Sequence, residues 1–107
     1  MINVEQLLIN EVYEIYNENN NDYVFIDVRE PEEWAMGVIP NITKISLGNL
    51  SSKFDELDKD KKYIIVCRSG NRSNTASRMM LQSGFKDVSN FQGGMLDWYD
   101  SDFPLEK

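Results

Sequence analysis

The sequence predicts a single α/β domain over residues 1–107, built on a mostly parallel sheet. Two near-continuous β-prone apolar runs, YVFIDV at 23–28 and YIIVC at 63–67, have the composition of strands buried on both faces. Helix-like segments alternate with strand-like ones, the pattern of crossover connections rather than hairpins. No repeat, low-complexity tract or linker interrupts the 107 residues, a length that suits one hydrophobic core.

Taken in order, Asn3 with Gln6 three positions on resembles a capping box. Leu7, Leu8, Val12, Ile15 and Tyr16 continue a helical pattern with a break near Asn10, and the polar cluster at 17–22 ends it. After the first buried strand, Pro31 suits a first helical turn because its missing N–H would have no partner there. Glu32 and Glu33 complement the helix dipole at the same end. This short helix runs to about Met36 and stops at Gly37. A tight connection at 38–40 leads to a short edge strand over 43–46 and a short helix over 49–57, closed by the polar run 58–62. The second buried strand passes through the loop 68–72 into a helix from about Ser73 to Gln82, with Gly84 as its stop. A last short strand at 87–90 and an amphipathic helix at 95–99, entered through Gly93-Gly94, complete the chain. Tyr63, Phe85, Phe91 and Trp98 read as core or rim packing.

The chain contains no histidine and one cysteine, Cys67. Without imidazole, Ser-His-Asp and Cys-His catalysis and the common zinc hydrolase sites are excluded. One thiol makes no internal disulfide and falls short of the usual multi-cysteine metal sites. No metal or organic cofactor is expected, and catalysis is left to Cys67, to carboxylates or to backbone dipoles. The net charge of −7 disfavours non-specific binding to nucleic acid. No apolar run reaches the roughly eighteen residues of a membrane helix. The acidic start MINVEQLLINEVYEIY also lacks the basic segment and cleavage site of a secretory signal. The expected compartment is therefore the cytoplasm, with neither nucleic acid nor membrane as a partner. The charge is unevenly spread: Lys61, Lys62, Arg68, Arg72, Arg78 and Lys86 are unopposed over 61–86, while the remaining residues carry five cations against eighteen acids. This is either a chance cluster on a solvated surface or an electropositive site for a small anion.

Cys67 closes a buried strand and stands just before a helix N-terminus, where unsatisfied N–H groups and the dipole favour an anion. An anionic sulfur is the nucleophilic form of a thiol. Arg68 and Arg72 add positive charge on either side. The alternative for a lone cysteine ending an apolar strand is an inert, buried small hydrophobe.

IDVREPEEW (26–34), the turn at 37–40, IIVCRSGNRS (64–73), SGFKDVSNFQGGMLDW (83–98) and the final Phe103-Pro104 follow one another in the order of a rhodanese homology domain. The chain resembles a single-domain rhodanese over essentially its whole length from about Asn3. That resemblance implies a rhodanese-like α/β fold, a five-stranded mostly parallel sheet with helices on both faces. It implies that Cys67 attacks a sulfane sulfur and holds it as a persulfide. It implies, too, that Arg68, Ser69, Gly70, Asn71, Arg72 and Ser73 cradle the anionic sulfur. Arg29 matches a substrate-contacting arginine, with structural pairing as the alternative. Asp27 matches an aspartate that supports the loop and its arginines, or makes a strand-end ion pair. Gly93 and Gly94 are turn formers near the site. Val38 and Asn41 replace the His and Gly of many members, and Ser69 stands where some thiosulfate-specific members carry lysine.

The expected activity is that of a rhodanese-type sulfurtransferase. It would move sulfur from a small anionic donor such as thiosulfate to a thiophilic acceptor, cyanide or a thiol. The rivals are a protein-to-protein sulfur relay, a non-catalytic rhodanese-like binding module, and a cysteine phosphatase. Phosphatase loops place five residues between cysteine and arginine, where four stand here. The chain is expected to act as a monomer or homodimer.

Overall fold

A computed structural model describes residues 2–19 and 22–107. Five strands form one sheet in the order β1-β5-β4-β2-β3: β1 (Glu5–Leu7), β2 (Tyr23–Asp27), β3 (Thr43–Lys44), β4 (Lys62–Val66) and β5 (Asp87–Phe91). Every pairing in that sheet is parallel. The helices are α1 (Ile9–Glu18), α2 (Pro31–Trp34), α3 (Leu47–Leu50), α4 (Asn71–Gln82) and α5 (Gly94–Tyr99), with a 3-10 turn over Ser51–Glu56 between α3 and β4. The α/β class, the parallel sheet and its five strands are as the sequence and its resemblance implied.

The sheet divides the core into two layers. On one face Val12 of α1 and Met95 and Trp98 of α5 pack with Ile64, Val66 and Phe91. On the other, Leu50, Ala76 and Met80 pack with Ile26, Ile65, Phe85 and Val88. The central strand β4 supplies alternate residues to both layers, which is why its sequence is apolar without alternation. Tyr63, Phe85, Phe91 and Trp98 are all buried, as their reading as packing residues required. Trp98 also donates its indole N–H to Pro104 O at 2.8 Å, anchoring the final segment.

The N-terminus departs from expectation. The residues read as a capping box and first helical turn form the edge strand β1, paired to Ser89, Asn90 and Phe91. The helix begins only at Ile9, where the Leu8 N–H donates to Glu11 Oε1 at 3.0 Å. A three-residue strand is too short to show a period, and its pairing with β5 lies 84 residues away in sequence. The segment expected as one helix over 49–57 is instead the single turn of α3 followed by the 3-10 turn. Two boundaries moved in ways that bear on chemistry: β4 ends at Val66, leaving Cys67 just beyond it, and α4 starts at Asn71. No described helix is long and apolar enough to cross a membrane.

Candidate active site

Cys67 lies between the carboxyl end of β4 and the amino end of α4, the position where parallel α/β sheets place their ligands. It is 1 % exposed. The turn after it is possible because Gly70, the N-cap of α4, adopts φ +92°. A side chain at Gly70 would strike the Gln92 carbonyl. The turn returns the Gly70 N–H to Cys67 Sγ at 3.1 Å. From the other side α5 closes on the same backbone: the Met95 and Leu96 N–H groups donate to Cys67 O and Arg68 O at 2.9 and 3.1 Å. Gly94, at φ +61°, is required there, since a Cβ would come within 2.6 Å of both carbonyl oxygens.

The expected loop residues are brought together. Gly70 and Ser73 touch the sulfur, Ser73 through its hydroxyl at 3.2 Å. Arg68, Ser69 and Asn71 are exposed on the outer side of the turn, and among the described residues Arg68 enters no ion pair. Arg72 reaches Glu33 of α2 with both terminal nitrogens, at 2.7 and 2.9 Å. The Arg72 hydrogen bonds hold the Glu33 carboxyl down at about 2, against the opposing effect of burial. In return Glu33 raises the Arg72 guanidinium above its ordinary value, again against burial, with Cys67 among the weaker contributors.

Arg29 makes its hydrogen bonds to groups other than the sulfur. Its guanidinium is 1 % exposed and committed elsewhere: to Asp27 with Nε at 3.0 Å and Nη2 at 2.9 Å, to Gly37 O at 2.9 Å, and to the Tyr99 hydroxyl at 3.0 Å. Burial works against its charge, yet the hydrogen bonds and charge of Asp27 and the Tyr99 contact hold it above its ordinary value. These contacts are of the structural kind weighed for Arg29 and Asp27 beside the roles in substrate contact and loop support. The two residues fasten the end of β2 to the Gly37 turn and α5.

The six-cation segment does not assemble into one site. Lys62 opens β4 while Cys67 follows its end, which at ~3.3 Å per residue puts them some ~16 Å apart. Lys86 pairs with Asp60, and Lys62 lies over the Tyr23 ring. Residues consecutive along a strand reach opposite ends of the sheet, so Lys62 and Lys86 lie away from the loop that carries Arg68 and Arg72.

Sequence reasoning gave Asn90 no role in the site and read Gln6 only as a helix-capping residue. Asn90 of β5 accepts the Ser73 hydroxyl proton at Oδ1, and donates from Nδ2 to Gly70 O at 3.1 Å and to Gln6 Oε1 at 2.7 Å. A carboxamide between the β-prone Val88 and Phe91, near the end of β5 that points to the loop, was the available signal. A hollow of about 390 Å³ beside the loop is lined by carboxamides, Gln6, Asn71, Asn74, Asn90 and Gln92, with Ser69 and Gly70. A larger hollow of about 560 Å³ lies by Tyr16, Tyr23 and Pro40 at the start of β2, away from the cysteine.

Comparison with known proteins agrees with this geometry. The family model described as a rhodanese-like domain matches residues 8–101. The putative sulfurtransferase YtwF of Bacillus subtilis is 44 % identical over 81 residues, covering 76 % of this chain and 78 % of that protein. A sulfurtransferase of Allochromatium vinosum is 32 % identical over 87 residues, 81 % of each chain. Among solved structures, a rhodanese-related protein from Thermoplasma volcanium superposes with a TM-score of 0.84 at 31 % identity, over 95 % of this chain and 97 % of that one. With an all-parallel five-stranded sheet, a cysteine at the mouth of β4 and a family match across most of its length, the chain belongs to the rhodanese-like domain family.

Proposed function

We propose that this chain is a sulfurtransferase that carries a sulfane sulfur on Cys67 as a persulfide. The observation that carries this reading is the set of groups hydrogen-bonded to Sγ among the described residues: a backbone N–H and a serine hydroxyl, with no acid or base. Glu33, the carboxyl paired to Arg72 of the loop, is ionised at neutral pH and has no proton to give a leaving group. Such a site suits a displacement whose leaving group departs as a stable anion. It does not suit one that expels an alkoxide and needs a general acid.

Two displacements complete the cycle. The Cys67 thiolate attacks the outer sulfur of thiosulfate, a sulfur–sulfur bond forms, the old one breaks, and sulfite leaves with its electron pair. The persulfide Cys67–S–S⁻ keeps one negative charge, which the Gly70 N–H and the nearby Arg68 and Arg72 stabilise. Cyanide or a thiolate then attacks the terminal sulfur, takes it as thiocyanate or a new persulfide, and restores the Cys67 thiolate. The four residues between Cys67 and Arg72 make a tighter turn than a phosphoryl group needs. The sequence similarity to proteins named as sulfurtransferases supports the same reading.

Intact mass measurement after incubation with thiosulfate tests it. Wild type gains one sulfur atom, cyanide removes it, and Cys67→Ser gains none. If wild type takes up no sulfur from thiosulfate or from organic persulfides, the catalytic reading fails; turnover of an aryl phosphate would replace it with phosphatase chemistry.

A further inference from the structure

The carboxamide of Asn90 has only one consistent orientation. Its nitrogen faces the Gly70 carbonyl at 3.1 Å, and a backbone carbonyl only accepts. Gln6 agrees: its own amide nitrogen donates to Asn74 Oδ1 at 2.8 Å, which leaves its oxygen for Asn90 Nδ2 at 2.7 Å. Asn90 Oδ1 therefore faces Ser73, and the single proton of the Ser73 hydroxyl goes to it. With that proton committed, Ser73 Oγ turns a lone pair toward Cys67 Sγ at 3.2 Å.

A lone pair at that distance fits a thiol, which donates S–H, and opposes a thiolate, which only accepts. The Gly70 N–H on the other side of the sulfur has the opposite preference. We propose that Asn90 is a positioning residue for Cys67: acting through Ser73, it holds the resting sulfur as the protonated thiol. Ionisation, with the proton passing to solvent, then requires the Ser73 hydroxyl to swing from Asn90 to Sγ. Asn90 is 2 % exposed, so its oxygen would be left buried and unpaired. A persulfide carries its negative charge on the outer sulfur and not on Sγ, so the contact opposes the free thiolate more than the loaded enzyme.

The charged groups around Cys67 act alongside this chain and not within it. Arg72 on α4 interacts with the sulfur and is itself paired to Glu33 of α2. Arg68 lies in the loop, and at the end of the neighbouring β2 Asp27 and Arg29 are paired to each other. Gln6, Asn90 and Ser73 are uncharged. The inference deepens the persulfide reading and rests on it for its place in a cycle, but its test reads the sulfur directly.

The test is the pH profile of iodoacetamide alkylation in wild type, Asn90→Ala, Ser73→Ala, Ser73→Thr and the Asn90→Ala double variants. Asn90→Ala frees the Ser73 proton for the thiolate, so alkylation at pH ~6 rises by about fivefold, the size of one neutral hydrogen bond. In the Ser73→Ala background Asn90→Ala changes nothing further, whereas in Ser73→Thr, which keeps a hydroxyl, the acceleration returns. Slower or unchanged alkylation in Asn90→Ala overturns the proposal, as does an acceleration that persists without the Ser73 hydroxyl. If Asn90→Ala does not fold, wild type and Ser73→Ala suffice. With one cysteine in the chain, the Raman S–H band at pH ~6 reports Cys67 alone. A hydrogen-bonded S–H band that moves toward the free-thiol position in Ser73→Ala is expected, and the absence of any S–H band overturns the proposal. Failure of thiosulfate loading, by contrast, would sink the sulfurtransferase reading and leave these results standing.

Discussion

Replacing Glu33 with glutamine removes the ion pair that ties α2 to the nucleophile loop. The Glu33 carboxyl falls from 4.5 in its ordinary state to about 2 in the fold, chiefly through its hydrogen bonds to Arg72. At ~1.4 kcal/mol per pKa unit, that difference has a ceiling of about 3 kcal/mol. The side chains of Arg72 and Glu33 are 35 % and 17 % exposed, and solvent screening brings the expected contribution to about 1–2 kcal/mol. The sign follows from the depressed value. The contribution is complete above the unfolded-state value of 4.5 and is lost as the pH falls from there toward 2. Urea unfolding followed by tryptophan fluorescence measures it in wild type and Glu33→Gln. The two should differ by about 1–2 kcal/mol at pH ~7 and draw together as the pH falls toward 2, where the folded Glu33 carboxyl is half protonated and most of its electrostatic contribution is gone. A gap that stays constant down to the acid end would show that Glu33 stabilises the protein by packing, and would refute the electrostatic reasoning.

Two further outcomes bear on the arginines. Asp27→Ala leaves the buried Arg29 guanidinium without its counter-ion and should cost about 3–5 kcal/mol in chemical denaturation. The fraction that stays folded should still load sulfur at the wild-type rate, and a specific loss of loading would return Arg29 to the substrate. Arg68→Ala removes an exposed, unpaired cation from the loop. It should raise the KM for thiosulfate about fivefold, roughly the ~1 kcal/mol of an exposed charge contact, with kcat and melting temperature unchanged. An unaltered KM would show that Arg68 plays no part in donor capture.

Local features were legible in the sequence, and long-range ones were not. The buried strands at 23–27 and 62–66, the loop after Cys67 and the paired glycines announce themselves within a few residues. Strand β1 does not, because the three residues Glu5–Leu7 take their conformation from a partner strand 84 positions away. The charge-free-of-acid stretch over 61–86 suggested a concentrated positive field. The geometry of a strand disperses it, since Lys62 and Cys67 lie at opposite ends of β4. Asn90 was given no role and Gln6 was read only as a capping residue, because neither residue type is reactive. Their importance lies in which way a single hydroxyl proton points, and only the Gly70 carbonyl reveals that.

The turn that holds Cys67 is shaped almost entirely by main chain. Glycines at 70 and 94 let two stretches of backbone, 67–70 and 92–96, approach within less than a side chain's width, and the contacts between them run from the Met95 and Leu96 amides to the Cys67 and Arg68 carbonyls. Amides come with every residue, so the letters at 68, 69 and 71, all exposed, can be rewritten without dismantling the nucleophile's seat. Such a scaffold separates reactivity from selectivity. A lineage could exchange one sulfur donor for another by changing outward-facing side chains alone, while any residue larger than glycine at 70 or 94 would end the chemistry for all of them.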